Sequence, residues 1–319
     1  MIVIAALNPA LDVTHHVPGV DWSGVNRAAQ VRVRPGGKGL NVARTLRALG
    51  AAVRVVGLAG GAAGEAVAAG LAAAAVPARF VPVSGETRHT FTVVDTERGG
   101  AALFSEPGPQ VSADEYRRFL DCYAGALAGA RAVVLSGSLP PGLPVSAYAE
   151  LGRLAAAAGV PAVLDAHGAA LAAGAASGPA IVKPNLAELE LLAGRSLAGP
   201  GGRDGAPDGG AVARAAQQLR AAGPQAVVVS LGPHGLWAVT EDGCWQAAPP
   251  AAVAGNPTGA GDAVAAGLVH GLVAGQPWAE RLRHAVALGA ACAAAPVAGE
   301  FAPEDYARAL RAAAVEEVR

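Results

Sequence analysis

A glycine–alanine–glycine turn followed at once by an aspartate, in Asn256-Pro-Thr-Gly-Ala-Gly-Asp262, is the segment of this sequence best suited to chemistry. Gly259, Ala260 and Gly261 at the opening of a helix would present backbone N–H groups with little side chain in the way, and a helix N-terminus favours an anion. An aspartate directly behind such a turn repels a bound phosphate. Its place makes sense if the Asp262 carboxylate takes the proton of an attacking hydroxyl while the amides hold a transferring phosphoryl group. Asp262 is therefore the candidate general base, a role worth about 10²–10⁴-fold. The plainer alternative is a glycine turn with an acid near a helix N-terminus.

Three further segments carry chemistry-bearing residues at useful spacing. Pro35-Gly-Gly-Lys-Gly-Leu-Asn41 precedes a helix over 41–49 and lacks the Ser/Thr after lysine that a Walker A loop needs to hold magnesium. Lys38 among glycines can still meet an anion, and Asn41 can meet sugar hydroxyls; an ordinary glycine-rich connection is the alternative. Lys183-Pro-Asn-Leu-Ala-Glu188 sets Asn185 and Glu188 three apart on one helix face, able to organise magnesium and its waters or, more simply, to cap the helix. Ser136-Gly-Ser-Leu-Pro-Pro-Gly142 follows a buried strand, at the strand end where parallel sheets bind ligands.

The elements that must position these segments alternate. Ile2–Ala6, Val53–Leu58, Ala132–Leu135, Ala162–Leu164, Ala180–Val182 and Ala226–Val229 are short apolar runs, as in strands buried on both faces. Helices are expected over Ser112–Leu127, opened by a capping box, and over Val145–Ala158, Leu186–Leu192 and Ala211–Ala222. This alternation predicts an α/β fold with a mostly parallel sheet covered on both faces. Val13–Val33 and a hairpin from Thr90 to Phe104 interrupt it and are expected to form a small lid sheet over the strand ends. Gly199–Gly210 is expected to be a surface loop.

Composition narrows the classes. Of 319 residues 52% are hydrophobic, and 24 Lys+Arg face 25 Asp+Glu, which excludes disorder and a broadly basic nucleic-acid surface. With aromatics at 4%, base-stacking platforms are disfavoured. Cys122, Cys244 and Cys292 are scattered singly, as in a reducing compartment. The N-terminal run has no basic flank, and the apolar stretch over 263–274 is interrupted by His270 and several glycines, so neither a signal peptide nor a membrane span is expected. A cytoplasmic protein is the resulting expectation.

Taken in order, these motifs resemble the PfkB, or ribokinase-like, family of carbohydrate kinases. The resemblance runs from Asn8-Pro-Ala-Leu-Asp12 through Gly36–Arg44, Thr87-Arg88, Ser136–Gly142, Lys183–Glu188 and Val229–Gly232 to Gly259–Asp262, nearly the whole chain. Within the family it looks most like the 1-phosphofructokinase and tagatose-6-phosphate kinase subgroup. The resemblance implies a three-layer αβα domain spanning 1–319, with lid segments at approximately 10–35 and 86–106. It also implies ATP and Mg²⁺ use and a homodimer joined through the lids. Carried over by residue, it makes Asp262 the base and Gly259, Ala260 and Gly261 the anion hole. Asp12, Gly37 and Asn41 would bind sugar hydroxyls, and Arg27, Lys38, Arg88 and Ser138 the phosphate already on the sugar. Lys183, Asn185, Ser230 and Gly232 would face the nucleotide, with Glu188 acting on magnesium through water. One departure is Asp165-Ala-His-Gly168, where the family usually has Asp-Thr-Ser-Gly.

Lys38, Arg27 and Arg88 motivate a phosphorylated acceptor, since a free sugar gives three cations nothing to neutralise. Fructose 1-phosphate is favoured over tagatose 6-phosphate, although Asn256-Pro257 is similar to tagatose-6-phosphate kinases. A kinase for a free hexose or nucleoside and an idle sugar-phosphate sensor are the other readings. A nicotinamide oxidoreductase is disfavoured, because the glycines over 57–64 miss the G-x-G-x-x-G spacing.

Overall fold

The computed structural model describes residues 1–199, 207–249, 258–295 and 299–318. Asn256-Pro257 and most of the Gly199–Gly210 stretch lie outside the described residues. The first half of the chain runs β1 (Ile2–Ala6), β2 (Ala10–Val17), β3 (Gln30–Gly36), α1 (Lys38–Ala48), β4 (Val53–Ala59), α2 (Gly61–Ala73), β5 (Ala78–Pro82), β6 (Arg88–Asp95), β7 (Ala101–Ser105), α3 (Ala113–Leu127), β8 (Ala132–Ser136) and α4 (Ala147–Ala157). It continues with β9 (Ala162–Asp165), α5 (Gly168–Ala175), β10 (Ile181–Val182), α6 (Leu186–Ala193), α7 (Gly209–Ala221), β11 (Ala226–Ser230), β12 (Leu236–Val239), β13 (Cys244–Ala248), α8 (Ala260–Val273), α9 (Trp278–Ala294), α10 (Pro303–Ala312) and β14 (Ala314–Val318).

The large sheet has the order β14-β13-β12-β11-β10-β9-β8-β1-β4-β5, parallel from β5 to β11 and antiparallel beyond. Its central strand shows why helices cover both faces. Ile2, Ile4 and Ala6 of β1 enter the core shared with α1, α2, α8 and α9, while Val3, Ala5 and Leu7 enter the one shared with α3, α4 and α5. Each side-chain parity thus meets its own apolar layer, which is what a continuous apolar run requires. Small residues let the layers close: a Cβ added at Gly267 of α8 would stand 2.6 Å from Ala285 Cα of α9. No helix among the described residues is long and apolar enough to cross a membrane.

The second sheet has the order β3-β2-β6-β7, with β2 and β6 parallel and the outer pairs antiparallel. Its register sorts side chains by face. Arg34, Asp12, Thr90 and Ser105 lie opposite one another in turn, and so do Val33, Val13, Phe91 and Phe104 on the other face. Asp12, Thr90 and Ser105 of the first row line a cleft at the carboxyl ends of the parallel strands; in the second, Val33 and Phe104 remain exposed. The α/β class with a mostly parallel sheet and a separate small sheet therefore agrees with the sequence reading.

Candidate active site

The cleft between the small sheet and the carboxyl ends of the parallel strands has a volume of about 1220 Å³. Helices α1 and α8 both begin in it without a side-chain cap. Gly37 precedes α1 with φ 89° and Gly259 precedes α8 with φ 84°, conformations in which a residue bearing Cβ is strained. In α1 Leu40 N turns back to Gly37 O at 3.0 Å, and the N–H groups ahead of the first such bond in each helix have no helical acceptor. By contrast α3 and α6 are each closed by a reciprocal capping box, Ser112 with Glu115 and Asn185 with Glu188. Asn185 and Glu188 thus realise the capping alternative: Glu188 N donates to Asn185 Oδ1 and Asn185 N to Glu188 Oε2, both at 2.8 Å.

Asp262, in the first turn of α8, is buried. Burial first, and the charge of Asp165 second, push its carboxyl up to about 6 against the pull of Lys38, Asn41 and Lys183. Asp165, the last residue of β9, carries no exposed surface. Lys38 Nζ donates to its Oδ1 at 3.0 Å, and Lys183 Nζ stands 3.3 Å from its Oδ2 as an ion pair. Burial works against the Asp165 carboxylate, but the two lysines outweigh it and hold it below the usual carboxylate range. For Lys38 burial pulls down, and Asp165, Asp262 and Glu188 together keep its ammonium above its ordinary value. Lys183 is buried, and a Cβ on Gly261 would lie 3.7 Å from its Nζ, so its charge sits against the glycine turn.

Across the cleft, Arg88 donates to Asn8 O (3.2 Å), Thr90 Oγ1 (3.3 Å) and Ser105 Oγ (2.7 Å). Burial raises the carboxyl of Asp12, countered by Arg34, Arg44, Arg88 and Thr90. Asn8 Nδ2 donates to Ser138 Oγ at 3.0 Å, tying the strand-end loop to the segment that leads into the lid.

The structure brings Asp12, Gly37, Lys38, Asn41, Arg88, Ser138, Lys183, Asn185, Ser230, Gly232 and Gly259–Asp262 around this one cleft. Three expectations stand differently in the structure. Arg27 lies exposed on the loop between β2 and β3, away from the cleft, so Lys38, Arg27 and Arg88 form no local cluster within the chain. Lys38 is engaged by the acids Asp165 and Glu188, the latter at 3.8 Å, so its charge is already paired within the cleft. Asn41 lines the cleft but is also engaged within the protein, its Nδ2 on Asp262 and its Oδ1 under Arg44, which leaves one N–H and one lone pair of its amide for a sugar hydroxyl. Asp165 was missed as a functional residue. The signal available was its position at the carboxyl end of a buried parallel strand.

Mg²⁺ fits this donor set only in part. Among the described residues no group of three His, Cys, Asp or Glu side chains is placed to hold a metal. Glu188 Oε1 points at Lys38 while Oε2 serves the cap, which suits a contact through water to an ion held mainly by phosphates.

An anion-ready pair of helix starts, a buried aspartate and two clustered lysines at the ends of a parallel sheet define a phosphotransferase that acts on a hydroxyl. Residues 4–305 match the pfkB family carbohydrate kinases. Phosphofructokinase-2 from Escherichia coli, solved in its tetrameric inhibited form, is 32% identical with a TM-score of 0.88, covering 97% of this chain and 98% of that one. The same enzyme in complex with fructose-6-phosphate gives 30% and 0.85, with coverage of 97% and 98%. A possible 1-phosphofructokinase from Thermotoga maritima is 26% identical with a TM-score of 0.87 over 100% and 99% of the two chains. The chain belongs to the pfkB family of carbohydrate kinases.

Proposed function

We propose that the protein transfers the γ-phosphoryl group of ATP to a hydroxyl of a ketohexose phosphate, fructose 1-phosphate being the favoured acceptor. The observation that carries this reading is the buried Asp262 at the uncapped start of α8, in the cleft that Arg88 also lines. Arg88 with Ser138 takes the phosphate already on the sugar, and Asp12 with Gly37 the sugar hydroxyls. Asp262 accepts the proton of the attacking hydroxyl, and the amides of Gly259, Ala260 and Gly261 hold the transferring group. Lys183, Asn185, Ser230 and Gly232 face the nucleotide. Glu188 holds the waters of Mg²⁺, which when bound neutralises charge on the ATP phosphates. Arg27 has no role in this assignment. The chain acts as one kinase unit, its small sheet serving as a lid.

Tagatose 6-phosphate is the second acceptor considered, and a free hexose a distant third. Comparing kcat/KM for fructose 1-phosphate, fructose 6-phosphate, tagatose 6-phosphate and free fructose tests the reading. The expected order has fructose 1-phosphate first; a free sugar ahead of every phosphate ester overturns it, since Arg88 would then have no anion to meet.

The outer face of the lid supports a homodimer. Val31, Val33 and Phe104 are 50%, 57% and 52% exposed on one face of the sheet, an apolar surface that a second copy of the same lid would cover. Light scattering should give twice the chain mass, and Val33→Glu should halve it; a monomeric wild type removes the dimer.

A further inference from the structure

Asn41 is buried in α1 with its two amide ends assigned to different partners. Its Nδ2 donates to Asp262 Oδ2 at 2.7 Å, and its Oδ1 accepts from Arg44 Nη2 at 2.6 Å. A guanidinium has donors only. The amide end it meets must be the carbonyl, and the NH₂ group is thereby turned onto Asp262. Arg44 lies one turn along the same helix face and is held in place by donating to the Pro35 carbonyl. Gly299 closes over the pair. A Cβ there would stand 3.0 Å from Asn41 Cα and 3.2 Å from Arg44 Nη2, and Thr45 Oγ1 donates to Gly299 O at 3.3 Å.

We propose that Arg44 is a positioning residue for Asp262: acting through Asn41, it keeps a donor on Oδ2 and leaves Oδ1 as the oxygen that receives the substrate proton. The inference rests on the function proposed above. In the transfer, the acceptor O–H bond breaks as its oxygen bonds the γ-phosphorus, and the proton goes to Asp262 Oδ1. The bond from γ-phosphorus to the bridging oxygen breaks, its electron pair leaving with ADP. An amide turned the other way would set a carbonyl against the carboxylate and favour its protonated form before any substrate arrives.

The groups that bear on Asp262 come from every side. They are Lys38, Asn41 and Arg44 on α1, Asp165 at the end of β9, Lys183 after β10 and Cys292 on α9. Of these, Arg44 is the one whose removal should act through another residue. The test follows the Asp262 carboxyl by ¹³C NMR in the ligand-free protein and, separately, the pH profile of kcat/KM. Arg44→Met should raise the Asp262 midpoint by about one pH unit. The acid limb of kcat/KM should move with it, and kcat should fall by roughly 10²-fold. Arg44→Lys, which keeps a donor and a charge, should recover most of both and serves if the methionine variant does not fold. In an Asn41→Ala background, Arg44→Met should move the midpoint no further.

A loss of activity equal at every pH, with the Asp262 midpoint unmoved, overturns the proposal. So does a shift of the same size with and without Asn41, because the charge would then act alone. Failure to turn over any sugar phosphate would remove the proposed function, while the titration of the ligand-free protein still decides the role of Arg44.

Discussion

Asp165 and Asp262 occupy the same cleft, are both buried, and both feel Lys38 and Lys183, yet their carboxyls are displaced in opposite directions. The end of β9 brings both lysines into ion-pair contact with Asp165, so attraction outweighs desolvation there. The first turn of α8 gives Asp262 one neutral donor from Asn41, while the lysines lean on Asp165. Two carboxylates of similar burial become a permanent anion and a proton acceptor because of what stands within about 3 Å of each. The permanent anion also helps to make the acceptor, since the charge of Asp165 raises Asp262.

The most direct way to break this division is to remove the acceptor. Asp262→Asn keeps the size of the side chain and the Asn41 neighbourhood but cannot take a proton. Turnover is expected to fall by about 10²–10⁴-fold or more, with ATP binding retained by calorimetry. Near-wild-type kcat in that variant would end the base assignment.

Removing the anion should act on stability first. Asp165→Asn leaves Lys183 buried without its carboxylate, a change that costs about 3–5 kcal/mol when one partner of a buried pair is lost. Urea unfolding at neutral pH measures it. The same variant sharpens the comparison, because without the charge of Asp165 the acid limb of kcat/KM should move below about 6. A limb that stays in place would separate the two acids.

Much of the scaffold could be read in the sequence because its signals are local. The all-buried Ile2–Ala6 reads as a strand enclosed on both faces, and Ser112 with Glu115 marks the start of α3. The hairpin of β6 and β7 follows from its glycine turn. The Asp262 turn was legible for the same reason. What the sequence hid is pairing over distance. Asn41 and Asp262 are 221 residues apart, and Lys38 and Asp165 are 127 apart. A single aspartate after an apolar strand carries no periodicity to reveal its partners. Arg27 misled in the opposite sense. Its charge fits a phosphate site, but the loop between β2 and β3 carries it out of reach within one chain.

The smallest effect expected is on stability against pH, where the two acids should have opposite signs. The Asp262 carboxyl is raised from 3.8 to about 6 by folding, so the folded state holds that proton more tightly than the unfolded chain. Its contribution is fully present below pH 3.8 and is lost as pH rises through about 6, a swing of about 3 kcal/mol. Asp165 is lowered by folding; its contribution is present above its unfolded value and disappears as pH falls through the folded one. Asp262→Asn should therefore gain stability relative to wild type as pH is raised from about 4 to 7, since it no longer carries a desolvated charge. Asp165→Asn should lose least, relative to wild type, in acid. Urea midpoints of the three proteins at several pH values measure both trends. Parallel curves for wild type and Asp262→Asn would mean that Asp262 titrates alike folded and unfolded, and the contrast between the two acids would then lie in geometry alone.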